Sequence, residues 1–104
     1  MKQKKFLFLH RQSPLVTGAE CFDLAMTAAA FDQDIRLLLL DDGVYWLAVG
    51  LPELLLESVE HLGVERQSLA PRGLTGQALP PAFRLYEQGA LADLIAQSDI
   101  VVTT

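Results

Sequence analysis

The sequence predicts an α/β chain folded as a three-layer, flavodoxin-like sandwich around a small, mostly parallel sheet. Three observations carry this expectation. Short apolar runs at 6–9, 37–40 and 100–102 are continuous rather than alternating, which suits strands buried on both faces beneath helices. Between them lie segments whose apolar residues recur at helical spacing. Strand-like and helix-like segments alternate, and that order implies parallel strands joined by right-handed crossovers. With 104 residues there is material for one core and not two, so residues 1–104 are expected to form a single domain.

Phe6, Leu7, Phe8 and Leu9 follow a lysine-rich start and form the first strand. Pro14 marks residues 11–16 as loop. Thr17-Gly18-Ala19-Glu20 has the spacing of a capping box, in which Thr17 and Glu20 would satisfy amide donors at a helix start. The alanine-rich stretch up to Phe31 favours that helix, with Phe22, Ala25, Met26 and Ala29 on one face and Glu20, Asp23 and Thr27 on another. Residues 35–40 form the second strand, stopped by Asp41-Asp42-Gly43.

Pro52 suits the first turn of a second helix. Leu55, Val59 and Leu62 form its inward stripe, Glu53, Glu57 and Glu60 face water, and Gly63 ends it as a left-handed cap. Residues 64–69 then read as a third, more polar strand. Residues 70–81, with three prolines and two glycines, read as loop. Residues 83–86 fit either a short strand or an irregular packing segment. Ala90 to Gln97 is a helix with Leu91, Leu94 and Ile95 inward, and Ile100-Val101-Val102 closes the chain as a strand. In such sheets chemistry gathers outside the carboxyl ends of the strands, and that rim should collect residues 10–17, 41–46 and 69–73.

Composition excludes several classes of function. The chain is 51% hydrophobic and 20% charged, with 8 basic and 13 acidic residues and a net charge of -5. Phosphate backbones are bound by clustered Lys and Arg, so direct nucleic-acid binding is not expected. The 6–9 run ends at once in His10 and Arg11, too short for a signal peptide, and no run approaches a membrane span. A cytoplasmic protein is expected. Cys21 is the only cysteine, which rules out an internal disulfide and a multi-cysteine zinc site. No glycine-rich phosphate loop follows the first strand, so neither a nucleotide nor any other cofactor is implied.

Each chemically suggestive residue has a structural rival. Cys21 falls early in the first helix, where the macrodipole could lower its pKa. Glu20, Asp23 and the apolar Phe22, Leu24 and Ala25 favour instead a small buried hydrophobe. Asp41 and Asp42 could hold a cation, but too few oxygen ligands accompany them and a turn explains them; no metal site is expected. His10 could move a proton, yet no nucleophile is evident within its reach, so a hydrogen-bonded structural role is expected. His61, near a helix end, would favour the helix carbonyls. Tyr45 and Trp46 follow a tight turn at the rim. They fit a protein interface and packing against the 51–55 turn equally well. Arg66, Arg72 and Arg84 could meet an acidic partner or simply be solvated. A receiver-like signalling domain is disfavoured, because its acidic cluster should follow the first strand and here the acids follow the second.

Several motifs taken in order resemble the DsrE-like superfamily. They are Phe6-Leu7-Phe8-Leu9 before a glycine and an alanine-rich helix; Leu37-Leu38-Leu39-Leu40-Asp41-Asp42-Gly43-Val44-Tyr45; Arg72-Gly73-Leu74-Thr75-Gly76; and Gly89-Ala90-Leu91-Ala92 with Asp99-Ile100-Val101-Val102. The chain looks most like the TusC/DsrF branch, with TusB/DsrH as second choice. The resemblance implies a sulfur-relay complex with DsrE/TusD-like and DsrH/TusB-like subunits. Such a complex passes persulfide sulfur to a small TusE/DsrC-like carrier protein, for tRNA wobble-uridine 2-thiolation or sulfur oxidation. The family's sulfur-carrying cysteine precedes the Arg72-Gly73 loop, which puts Glu65 or a near neighbour in its place; residues 22–104 contain no cysteine. A non-catalytic subunit is therefore expected, with Asp42, Gly43, Val44, Tyr45, Trp46, Arg72 and Gly73 as interface candidates. The alternative is a sulfurtransferase that carries persulfide on Cys21.

Overall fold

Parallel pairing in register sorts the strand residues of the computed structural model into two faces. The structure describes residues 3–74 and 79–104. Among the described residues five strands, β1 (Lys5–His10), β2 (Asp34–Leu39), β3 (His61–Glu65), β4 (Phe83–Tyr86) and β5 (Ile100–Thr103), stand in the order β4-β3-β2-β1-β5. Every pairing between them is parallel. The helices are α1 (Asp23–Ala30), α2 (Trp46–Val49), α3 (Glu53–Ser58) and α4 (Ala90–Gln97). The expected α/β class holds, and Phe83–Tyr86 is a true edge strand.

One row across the sheet reads Val102, Phe8, Leu37, Leu62, Phe83. With Ile35, Leu39 and Val64 it packs against Phe22 and Ala25 of the first helical segment, Trp46, and Leu55 with Val59. The opposite face carries Leu7, Leu9, Leu38 and Leu40, covered by Leu94 of α4 with Leu91 and Tyr86. Each fully buried aliphatic or aromatic side chain contributes about 1.5–3 kcal/mol, so the two layers hold the sheet unequally. Ile95, expected to point inward, is 42% exposed. Among the described residues no helix is long and apolar enough to cross a membrane.

Three local expectations are corrected. The first helix opens as a 3-10 turn, Ala19–Phe22, with Gly18 rather than Thr17 at its cap and no side-chain cap bond. Glu20 alone reaches back, accepting from the Gly18 amide at 3.2 Å. Residues 41–45 form a 3-10 turn leading into α2 rather than a tight reversal. The third strand begins three residues earlier than expected, because α3 ends at Ser58 and Val59 is already extended at φ -105, ψ 116.

Gly63 is therefore a strand residue and not a helix cap. The physical reason lies on the α4 face: a Cβ there would stand 2.6 Å from the Tyr86 ring, which lies across the glycine. Gly63→Ala is expected to cost about 1–3 kcal/mol by displacing that ring, read as a lower urea midpoint with an unchanged slope. His61 likewise opens β3 instead of ending a helix, and its Nε2 lies 3.7 Å from Asp34.

Candidate functional site

The carboxyl ends of β1, β2 and β3 carry loops that are tied to one another by polar contacts. The Leu40 amide donates to the His10 carbonyl at 3.1 Å. Gly43 passes so close that a Cβ would lie 2.1 Å from that same carbonyl oxygen. The glycine is thus required for close approach, while the left-handed turn residue is Asp41 at φ 51. The Asp41 amide donates to Ser68 Oγ at 2.8 Å, and Ser68 Oγ donates to Glu65 Oε1 at 2.6 Å. Glu65, which the resemblance places at or near the position of a sulfur-carrying cysteine, is buried and committed to holding two loops together. Arg72 bridges them again, donating from Nε to Asp42 at 2.9 Å and from Nη1 to the Ser68 carbonyl at 3.0 Å.

Behind these loops sits a pair that sequence reasoning did not bring together. His10 is fully buried; its Nε2 lies 3.6 Å from Cys21 Sγ and its Nδ1 2.7 Å from Thr104 Oγ1. The expectation that His10 has no nucleophile within reach is therefore corrected: the ten residues between them fold back and bring the thiol to it. Phe22 and Trp46 close the pocket, with ring centroids 4.8 Å and 6.3 Å from the imidazole and 5.0 Å from each other.

Electrostatics keeps this pair neutral. Burial pushes the Cys21 thiol above its ordinary range, and Glu20 and Asp23 add to that effect. The Thr17 hydroxyl opposes it only in part; its oxygen is buried without a partner at full hydrogen-bond geometry, so the contact is a weak one. Burial also holds His10 below its ordinary value, against a smaller opposing hydrogen bond at Gln12. A thiolate facing an imidazolium would need both shifts reversed.

The same shifts fix how stability responds to pH. An unfolded His10 takes up its proton near 6.5 and the folded one only at lower pH, so acidification favours unfolding. This contribution is fully present above about pH 6.5 and is lost as the pH falls through the folded value. At the alkaline end, Cys21 contributes below its ordinary 9.0 and loses that contribution as pH rises through its raised folded value. Thermal melts from pH 7 to 5 are expected to fall more steeply for the wild-type chain than for His10→Gln.

The remaining interface candidates separate by burial. Val44 and Trp46 belong to the core, with Trp46 only 6% exposed and its Nε1 donating to the Gln12 carbonyl at 3.1 Å. The indole packs inside the chain on Phe22 and His10. Gly43 is buried, and Gly73 adopts φ 72 at the end of the Ala70–Arg72 turn. Asp42 and Tyr45 remain at the surface. Thr75 and Gly76, which complete the Arg72 motif, lie outside the described residues. Tyr45 lines an open cleft of about 520 Å³ with Ser13, Pro14, Leu15, Asp42, Ala48 and Val49. Leu15 is 97% exposed, Val16 72% and Val49 65%. This apolar cleft was legible only as Leu15-Val16 standing in a loop that needs no hydrophobic residues. Among the described residues no group of His, Cys, Asp or Glu is arranged to hold a metal ion.

Residues 4–104 match the DsrE/DsrF-like family. The chain belongs to that family. Within it, the chain is 33% identical to the "Protein TusC homolog" of Pseudomonas aeruginosa, a match covering 96% of this chain and 98% of that protein. It is 36% identical to the "Intracellular sulfur oxidation protein DsrF" of Allochromatium vinosum, over 69% of this chain and 65% of that protein. These two relatives bear out the expected leaning towards TusC/DsrF. The crystal structure of the YchN protein from E. coli superposes with a TM-score of 0.67 at 18% identity, covering 99% of this chain and 100% of that one. At that identity the likeness speaks for the DsrE-like fold alone.

Proposed function

We propose that this DsrE/DsrF-like chain is a non-catalytic subunit of a cytoplasmic sulfur-relay complex, serving tRNA wobble-uridine 2-thiolation or sulfur oxidation. It assembles with DsrE/TusD-like and DsrH/TusB-like subunits and helps dock the small TusE/DsrC-like sulfur carrier. The observation that carries this reading is that its one thiol is packed against a buried, neutral histidine. By the resemblance, the position of the family's carrier cysteine falls to Glu65 or a near neighbour, and Glu65 is a structural acid. What the rim offers outward is shape: the apolar cleft beside Tyr45 and Leu15. Removing an exposed apolar anchor from an interface centre costs tenfold or more in affinity. Leu15→Asp, at a solvated position, is expected to leave folding intact. Co-expressed with the two partner subunits, it should recover them at least tenfold less well than the wild type. Equal recovery from both chains would remove the cleft from the assembly.

A second reading is favoured by the 3.6 Å contact between His10 Nε2 and Cys21 Sγ. In it Cys21 attacks the outer sulfur of a donor persulfide, R–S–SH, forming the Cys21 S–S bond and breaking the donor S–S bond. His10 accepts the thiol proton and returns it to the departing R–S⁻, so no external oxidant is needed. Native-state alkylation with iodoacetamide separates the two readings. The non-catalytic reading expects labelling at pH 7 slower than for a free thiol, rising only in denaturant; fast native labelling supports the second.

A further inference from the structure

The two edges of the sheet are built differently. The β4 edge is preceded by Pro80 and Pro81 and carries Arg84, devices that blunt strand pairing. The β5 edge has none: Ile100-Val101-Val102-Thr103 is uncharged, free of proline, and bonded on one side only, to β1. Both helix layers also stop short of it. Ile100 faces the α1 and α3 side and Val101 the α4 side, yet each is 40% exposed. At the end of the strand the Thr104 amide donates inward to the Leu9 carbonyl at 2.8 Å, and the Thr104 carbonyl accepts from the Arg11 amide at 2.9 Å. By the alternation of a ladder, Ile100 and Val102 also bond inward, and the backbone groups of Val101 and Thr103 point outward.

We propose that β5 pairs antiparallel with β5 of a second copy of this chain, about a two-fold axis through Val101, joining two five-stranded sheets into one. Outward backbone groups call for a strand, and the register shows why that strand fits as its own copy. On the axis, Val101 meets Val101 and the two exchange N–H···O=C bonds, while Ile100 and Val102 of opposite copies share a face. Asp99 falls opposite Thr103, so no carboxylate meets another across the seam. A partner's β4 would instead bring its prolines and Arg84. Ile95, at 42% exposure near the end of the helix leading into β5, adds apolar surface on the α4 side. The contact is small. A four-residue edge runs about 13 Å, and the shortest extent of the molecule is 24 Å. That places the contact at or below the low end of stable interfaces, about 1,200 Å² in total, so the dimer is concentration-dependent. Two copies of net charge -5 repel, and added salt strengthens the pair.

Sedimentation velocity of the isolated full chain tests this without any partner subunit. The expected result is a monomer–dimer shift across the micromolar range, moving to lower concentration at high salt. Val101→Lys sets two cations face to face on the axis and should weaken dimerisation at least tenfold, whereas Val101→Thr should preserve it. Leu15→Asp, at the rim cleft, should leave it unchanged. If Val101→Lys fails to fold, hydrogen exchange on the wild type carries the test: the Val101 and Thr103 amides should slow as concentration rises. A chain that stays monomeric at high micromolar concentration overturns the proposal. So does a dimer indifferent to Val101→Lys, or one abolished by Leu15→Asp.

Discussion

Gly43→Ala is expected to cost about 3 kcal/mol or more, the largest effect of a Gly→Ala change among the described residues. The added carbon would stand 2.1 Å from the His10 carbonyl oxygen and 2.8 Å from its carbon. Both belong to backbone at the end of the interior strand β1, which is flanked by β2 and β5 and cannot yield. Relief would require the 41–45 turn to lift, breaking the Asp41–Ser68 and Asp42–Arg72 bonds with it. In a domain whose whole stability is about 5–15 kcal/mol, that is a large share. Gly50→Ala is the control: its φ is 94, but nothing lies within 4 Å, so only backbone strain of about 1–2 kcal/mol applies. Urea denaturation of the two variants should separate steric contact from conformational strain.

Trp46→Ala is expected to cost about 3–5 kcal/mol through the cavity it leaves. The indole packs against both Phe22 and His10 and spends its N–H on the Gln12 carbonyl. Trp46→Phe keeps most of that volume and should cost about 1 kcal/mol, chiefly for the bond to Gln12. Because Trp46 is the only tryptophan, the wild-type indole emission should red-shift in one step with the urea transition and report on this pocket directly. Opening the pocket also hydrates His10, so Trp46→Ala should lose part of the acid sensitivity attributed to that residue.

Continuous apolar runs made the strands easy to read, because a strand buried on both faces leaves no alternation to misassign. That is why 6–9, 35–40 and 100–102, and the helix at 90–97, lie where the sequence suggests. The region from Pro52 to Leu69 was harder. Leu55, Val59 and Leu62 satisfy a helical stripe, but Val59 and Leu62 face the same core from an extended backbone. Periodicity cannot separate those two uses of three residues. Gly63 was read through backbone freedom, whereas its cause is the Tyr86 ring, a contact with a residue far along the chain. The rim loops were legible as a group because topology alone gathers them. The pairing of His10 with Cys21 was not, since it depends on how the 11–20 segment folds back. Nor was Ser68, whose hydroxyl links Glu65 to the Asp41 amide; nothing in a lone serine after a strand announces that bridge.

The central claim is that this chain contributes surface, and not a sulfur atom, to a relay. Its most direct test is a reconstituted complex containing Cys21→Ser, supplied with a persulfide donor and assayed for sulfur arriving on the small carrier protein. The expected result is transfer at the wild-type rate, with no added sulfur on the Cys21 peptide of the wild-type complex during turnover. Loss of transfer in the assembled variant, together with a persulfide on Cys21 that forms and decays with turnover, would contradict it.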